Sequence, residues 1–363
     1  MSKFMVVAGG TGGHLFPAQA LANELQKRGH TVHLVTDNRA NNFAADFPAE
    51  KTHIVPSATP NLRNPLQTAE ASLTILQGIA KSYKLMKKEE PDAVIGFGGY
   101  PTFPPLIAAS LRGIPTVLHE QNAVMGRANR ATARFADKIA LSFPTTKYAD
   151  KYEAKCVLTG NPLRDIVLQV ANKPYPAIDD DGPINVLVTG GSQGAQVFSD
   201  MLPGAMLNIP DELRNRIRLV QQCREDDLKR ATSVYADSRL NVELAPFFKD
   251  LPRRIANSHL IICRAGASTI AEIAAIGRPA VYVPLPGSLD QDQLHNAKNI
   301  VDVEGGWILE QGTLSPHSLA TELTKILVDT DRLRVMAGNA KKAGRPDAVV
   351  NLANIAEQSA QEE

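Results

Sequence analysis

Apolar residues in the first half of the chain gather in short runs that close on glycine or a polar residue and give way to segments of helical period. K-F-M-V-V-A (3–8), T-V-H-L-V-T (31–36), D-A-V-I-G-F (92–97), I-P-T-V-L-H (114–119) and K-I-A-L-S-F (138–143) read as strands. The first runs into G-G-T-G-G-H and then a helix, P-A-Q-A-L-A-N-E-L-Q-K-R, which Gly29 closes. Strand, turn and helix in alternation predict an α/β fold with a parallel sheet and crossover helices.

The pattern then breaks and starts again. K-P-Y-P-A-I-D-D-D-G-P (173–183) is proline-rich, acidic and turn-forming. Directly after it, V-L-V-T-G-G-S-Q-G-A (186–195) repeats V-V-A-G-G-T-G-G-H (6–14), with Gly190 aligned on Gly9. Further strands are expected at 216–221, 242–247, 259–264, 279–284 and 306–310, with helix through the 320s and 330s. A last helix follows R-P-D-A (345–348) and could pack on either half. A chain of 363 residues also exceeds what one ordinary core fills, so two domains are expected.

Composition adds exclusions. The chain is 44% apolar and 21% charged, in the globular range. Cys156, Cys223 and Cys263 are odd in number and widely spaced, which argues against a disulfide framework and for a reducing compartment. No stretch reads as a signal peptide or a membrane span. The net charge is only +1, but it is unevenly spread: residues 1–164 carry 19 Lys and Arg against 12 Asp and Glu, residues 165–363 carry 20 against 26. A basic first half suits an anionic ligand or membrane surface. Basic residues do not form a stripe with aromatics, so nucleic-acid binding has little support.

The first glycine turn fails two familiar tests. A dinucleotide fingerprint would need glycine at 10, 12 and 15, where position 15 is Leu; a phosphate-binding P-loop would need a closing Gly-Lys-Ser/Thr. What remains is a tight turn feeding a helix N-terminus, suited to an anion. His14 stands at that helix entrance, either as a neutral, proton-accepting base or as a capping or phosphate-contacting group. A third turn, C-R-A-G-A-S-T-I-A-E (263–272), offers Ser268 or Thr269 as a helix cap and Glu272 as an acceptor for ribose hydroxyls.

Polar clusters follow other strands: F-G-G-Y-P-T-F-P-P (97–105), H-E-Q-N-A-V-M-G-R-A-N-R (119–130) and P-L-P-G-S-L-D-Q-D-Q-L-H-N-A (284–297). Amides and carboxylates so grouped suit sugar recognition better than hydride transfer. Asp290 and Asp292 have no evident further ligands, and no metal site is expected. L-T-I-L-Q-G-I-A-K-S-Y-K-L-M-K-K (73–88) sets leucines beside Lys81, Lys84, Lys87 and Lys88. It fits an ordinary amphipathic crossover helix or an interfacial anchor.

Taken in order, G-G-T-G-G-H, F-G-G-Y-P-T-F-P-P, H-E-Q-N-A-V-M-G, G-N-P-L-R, G-G-S-Q-G-A and C-R-A-G-A-S-T-I-A-E closely resemble the bacterial MurG family over essentially the whole chain. The resemblance implies two Rossmann-like domains facing across a cleft, the GT-B glycosyltransferase type. Residues 1–163 with 343–363 would form the acceptor and membrane-facing domain, and residues 164–342 the UDP-N-acetylglucosamine domain. The implied reaction is inverting transfer of N-acetylglucosamine from UDP-N-acetylglucosamine to the C4 hydroxyl of N-acetylmuramic acid in undecaprenyl-pyrophosphoryl-MurNAc-pentapeptide (lipid I). Its product would be lipid II, the setting peptidoglycan synthesis at the cytoplasmic face of the inner membrane. No cofactor is required. The implied partners are lipid I, an anionic membrane surface and other cell-wall synthesis proteins. The alternatives are an enzyme like the UDP-N-acetylglucosamine 2-epimerases or a nucleotide-sugar-binding module.

The same resemblance implies roles for single residues. Thr11, Gly12 and Gly13 correspond to the turn near the phosphates, with His14 the candidate base. Asn122 and Arg164 match the family's donor-contacting asparagine and arginine. Ser192 matches its diphosphate-contacting serine, and Phe248 the uracil-side position. Ala267, Ser268, Thr269, Ile270, Ala271 and Glu272 match the helix entrance over the nucleotide, with Arg264 in electrostatic support. In the sugar loop Asp292 and Gln293 stand where some members have two glutamines; Gln293 carries over as a donor contact, whereas Asp292 cannot supply an amide's donor.

Overall fold

The computed structural model describes residues 1–9, 12–38, 47–61, 64–191, 194–236, 238 and 240–361. Thr11 and Ser192 lie outside these. Two compact units emerge: Met1–Arg164 with Pro346–Glu363, and Asp165–Arg345.

The first unit runs β1 (Lys3–Val7), α1 (Gly12–Lys27), β2 (Thr31–Thr36), β3 (Lys51–Ile54), α2 (Pro65–Glu89), β4 (Ala93–Gly96) and α3 (Phe103–Leu111). It continues with β5 (Thr116–Glu120), α4 (Arg127–Thr132), β6 (Lys138–Leu141) and β7 (Cys156–Leu158). Its seven strands pair in parallel in the order β3-β2-β1-β4-β5-β6-β7.

The second unit runs α5 (Asp165–Ala171), β8 (Ile184–Thr189), α6 (Gln196–Asn208), α7 (Asp211–Arg214), β9 (Ile217–Gln222), α8 (Glu225–Ala236) and β10 (Asn241–Ala245). Then come α9 (Leu251–Ala256), β11 (Leu260–Cys263), α10 (Ala267–Ile276), β12 (Ala280–Tyr282), α11 (Asp292–Val301), β13 (Gly306–Ile308), α12 (Pro316–Val328) and α13 (Thr330–Ala343). Its parallel sheet has the order β10-β9-β8-β11-β12-β13. Each sheet therefore grows outward from its first strand and then reverses, giving a Rossmann-like switch point between β1 and β4 and another between β8 and β11. Ligands of such sheets bind at the carboxyl ends of those strands.

The alternation of side chains along β1 explains its two coats. Phe4 and Val6 face α1, packing with Leu21 and Leu25. Met5 and Val7 face the opposite layer, with Met86, Ala108 and Ala109. In the second unit Val186, Val188, Leu219 and Ile262 pack against Phe198, Leu202, Leu319 and Leu323.

The last helix, α14 (Ala348–Ser359), settles on the first unit. Leu352, Ala353 and Ala356 join the α1 layer. Glu357 accepts from Arg28 Nη1 and pairs with His30 Nε2, each at 2.7 Å.

Three elements differ from the sequence reading. β3 and β7 were not expected, being short and only half covered. α1 starts at Gly12, so Pro17 lies inside the helix instead of at its head. The missing N–H of Pro17 deprives the Gly13 carbonyl of its helical partner.

Candidate active site

In the first unit the carboxyl ends of β1 and β4 meet through two glycine turns. His14, the third residue of α1, lays its ring against Gly98 and Gly99, which adopt φ of +85° and +76°. A Cβ on Gly98 would lie 3.3 Å from His14 Cδ2 and 3.1 Å from Asn129 Oδ1, so the turn leaves the imidazole room only because it has no side chain. Thr102 Oγ1 holds the turn by donating to Gly98 O at 2.6 Å.

Beneath that ring lies a buried polar layer. His119 is fully enclosed; its Nε2 donates to Gly160 O at 3.1 Å and its Nδ1 accepts from Gln121 Nε2 at 2.9 Å. Burial, opposed by the bond to Gly160 O and aided by the nearby His14, brings its pKa down to about 4, so it is neutral near pH 7. Glu120, also buried, accepts from the backbone N of Asn122 at 2.9 Å and of Gly126 at 2.8 Å, and from Asn129 Nδ2 at 2.7 Å. Burial raises its pKa while those donors oppose the rise. Through Glu120 the backbone of Asn122 and the side chain of Asn129 are fixed together, and Asn129 stands beside Gly98 and His14. Arg164, at the end of the unit, lies over the ring of Phe16 at 4.8 Å, on the turn of α1 that carries His14.

The second unit repeats the arrangement with other side chains. Gly190 could carry no Cβ, which would fall 2.2 Å from Ala195 N. Gln222, at the end of β9, staples the turn: its Oε1 accepts from Thr189 Oγ1 at 2.9 Å and Gly190 N at 3.1 Å. Its Nε2 donates to Gly191 O at 3.0 Å and Pro246 O at 3.2 Å. That last bond ties the turn to the loop bearing Phe248, which is buried beneath Arg254 at 4.3 Å.

Across the switch point, the N-cap of α10 is Gly266, without a side-chain cap bond. The expected capping by Ser268 or Thr269 is therefore corrected: both lie within the first helical turn, past the position from which a hydroxyl reaches the leading N–H groups. Those N–H groups, like the ones behind the N-cap Ala195 of α6, have no side-chain cap. Ile270 and Ala271 follow in α10, and Glu272 is buried in its second turn.

Gln293 Oε1 accepts from Leu285 N at 2.9 Å and Ala265 N at 3.3 Å, joining the loop after β12 to the turn before α10. Its amide NH₂ remains the donor end. Asp292 opens α11 and accepts from Gln293 N at 2.7 Å. Just before it, Asp290 and Gln291 both hold positive φ, +54° and +57°, a strained lead-in of about 1 kcal/mol or more per residue. Arg264 donates to Val283 O, Pro284 O and Gln311 Oε1 at 2.7–3.1 Å, and burial lowers its pKa. It braces the loop after β12.

The residues that give both sites their shape were not singled out from sequence. Gln222 and Gln121 are amides at or just past the carboxyl ends of strands, and that position is the signal that could have found them; Asn129 sits in the first turn of α4, where no strand end marks it.

Residues 4–141 match the glycosyltransferase family 28 N-terminal domain and residues 185–352 match the C-terminal domain of that family. A UDP-N-acetylglucosamine--N-acetylmuramyl-(pentapeptide) pyrophosphoryl-undecaprenol N-acetylglucosamine transferase of Rhizobium etli (strain CIAT 652) is 48% identical over 359 residues, 98% of this chain and 96% of that protein. The crystal structure of Acinetobacter baumannii MurG is 31% identical with a TM-score of 0.82, covering 99% of this chain and 100% of that one. The chain belongs to the MurG family. Its two Rossmann-like units are those of the GT-B fold that the MurG structure shares. A Neisseria meningitidis UDP-GlcNAc 2-epimerase bound to UDP-GlcNAc, with a TM-score of 0.70 and 16% identity, covering 99% of this chain and 100% of that one, shares the fold alone.

Proposed function

We propose that this chain moves N-acetylglucosamine from UDP-N-acetylglucosamine to the C4 hydroxyl of N-acetylmuramic acid in lipid I, giving lipid II with inversion at the anomeric carbon. The observation that carries the reading is 48% identity over nearly the full length to a transferase of that name. The second unit takes the donor. Uncapped N–H groups of α6 and α10, with Ser192, face the diphosphate; Phe248 sits by the uracil, Glu272 by the ribose, and Asp292 and Gln293 by the sugar. Arg264 keeps that loop in place.

The first unit takes the acceptor. Thr11, Gly12 and Gly13 approach phosphate, Asn122 and Arg164 contact the donor side, and His14 acts as base. The C4 oxygen attacks the anomeric carbon as its proton passes to the imidazole; the anomeric C–O bond to phosphate breaks and UDP leaves with the electron pair. Helix N-termini stabilise the charge on that diphosphate, so the transfer does not require a metal.

A peripheral station on an anionic membrane goes with this substrate. No helix among the described residues is long and apolar enough to cross a membrane. α2 instead turns three of its four leucines outward: Leu66, Leu73 and Leu76 are 78%, 58% and 62% exposed, while its packed face is Ala71, Gly78, Ser82, Met86 and Glu89. Lys81, Lys84, Lys87 and Lys88 are exposed on the same helix, and the exposed Leu111 ends the neighbouring α3. Apolar side chains beside lysines suit an interface lined with anionic lipid.

Purified protein incubated with labelled UDP-N-acetylglucosamine and lipid I, with and without chelator, tests the reading. Lipid-linked label should form in both. Donor turned over without lipid I would instead favour an epimerase, and binding without any product a regulatory module.

A further inference from the structure

At the β3 edge of the first sheet, three metal-ligating side chains from distant parts of the sequence converge. His33 on β2 and His53 on β3 point to the same face, because His33 pairs with Lys51 and Val35 pairs with His53 in the parallel register. Glu89, the last residue of α2, closes the group from the helix layer. His33 is 1% and Glu89 6% exposed, in a layer otherwise built from Met5, Val35, Met86 and Val94. His53 Nε2 lies 3.5 Å from His33 Nδ1, which lies 3.6 Å from Glu89 Oε2, and all three atoms fall within 4.8 Å of one another. Ligand atoms about 2.0–2.2 Å from a tetrahedral ion stand about 3.3–3.5 Å apart, so two of the three edges are already near that length.

We propose that His33, His53 and Glu89 form a binding site for a borderline divalent cation of the zinc type, separate from the transfer chemistry. Two imidazoles and one carboxylate suit such an ion, whereas magnesium and calcium prefer an all-oxygen shell. His53 is only half buried, which leaves a solvent side for entry and for a fourth ligand. Lys51 Nζ holds Glu89 Oε2 at 3.3 Å and is half exposed, so it competes with the cation and can swing out. Lys3 and Lys88 add positive charge nearby and Glu50 offsets part of it. A bound ion joins β2, β3 and the carboxyl end of α2, the helix whose other face carries the exposed leucines.

Cobalt(II) added to the metal-free full chain in the presence of magnesium should give one saturable tetrahedral d–d spectrum, removed by an equivalent of zinc. His53→Gln, at the more exposed ligand, should weaken cobalt binding about tenfold or more, by the scale of lost metal-site contacts. Lys51→Met should tighten binding several-fold, a gain that a merely unfolded variant could not produce. Cys156→Ser should leave the spectrum unchanged. No saturable spectrum, equal binding by His53→Gln, weaker binding by Lys51→Met, or loss of the spectrum in Cys156→Ser would each overturn the site.

Discussion

A histidine enclosed as fully as His119 cannot take up a proton in the folded chain until about pH 4, while the same ring in the unfolded chain charges near pH 6.5. The unfolded state thus binds more protons between those values. The stability this neutral ring permits is complete above about pH 6.5 and falls as pH drops toward 4, by about 3 kcal/mol for one group. Urea midpoints at pH 7 and pH 4.5 measure it, and His119→Gln should flatten the difference relative to the parent protein. Gln222 offers a second check. Replacing it by Leu strands Thr189 Oγ1 and Gly190 N, and should lower unfolding stability by about 1–3 kcal/mol in the same titration. Neither residue's partners were legible beforehand. Glycine spacing and the position of His14 can be read along the chain, but Gln222 reaches turns 30 residues away, and only the folded register shows it. The misplaced cap has the same origin: Ser268 and Thr269 have the right chemistry, but backbone geometry gives the cap to Gly266.

At the scale of elements, the outward leucines of α2 make a direct prediction. Their exposure has a cause in the packed face, where Gly78 approaches Pro56 O so closely that a Cβ would sit 2.3 Å away. Where Gly78 and Ala71 face inward the helix lies tight on its neighbours, and Leu66, Leu73 and Leu76 are left outside, while Met86 and Leu85 pack inward nearer its carboxyl end. Leu73→Asp with Leu76→Asp should abolish sedimentation with phosphatidylglycerol vesicles while leaving UDP-N-acetylglucosamine affinity within about twofold, since surface changes there touch no donor contact. Raised salt should weaken the parent's vesicle binding, because each lysine near an anionic surface contributes about 1 kcal/mol that screening removes. Vesicle binding unaffected by either change would remove the helix from the membrane contact. The interior strands of both sheets were readable from their apolar runs. β3 and β7 were not, because K-T-H-I and C-V-L are short and partly solvent-facing and so lack the apolar run that marks the central strands.

For the molecule as a whole, one strand-turn-helix frame appears twice with different side chains. Both units follow the first strand of a switch point with a glycine-rich segment and a helix, yet the position held by His14 in the first is Ala195 in the second. On the proposed reading, donor grip and acceptor chemistry divide between two similar frames. Steady-state kinetics of His14→Ala with lipid I, paired with calorimetric binding of UDP-N-acetylglucosamine, test that division most directly. The account predicts a fall in kcat of about 10²–10⁴-fold with donor affinity unchanged. Equal losses in turnover and donor binding, or turnover near that of the parent, would contradict it.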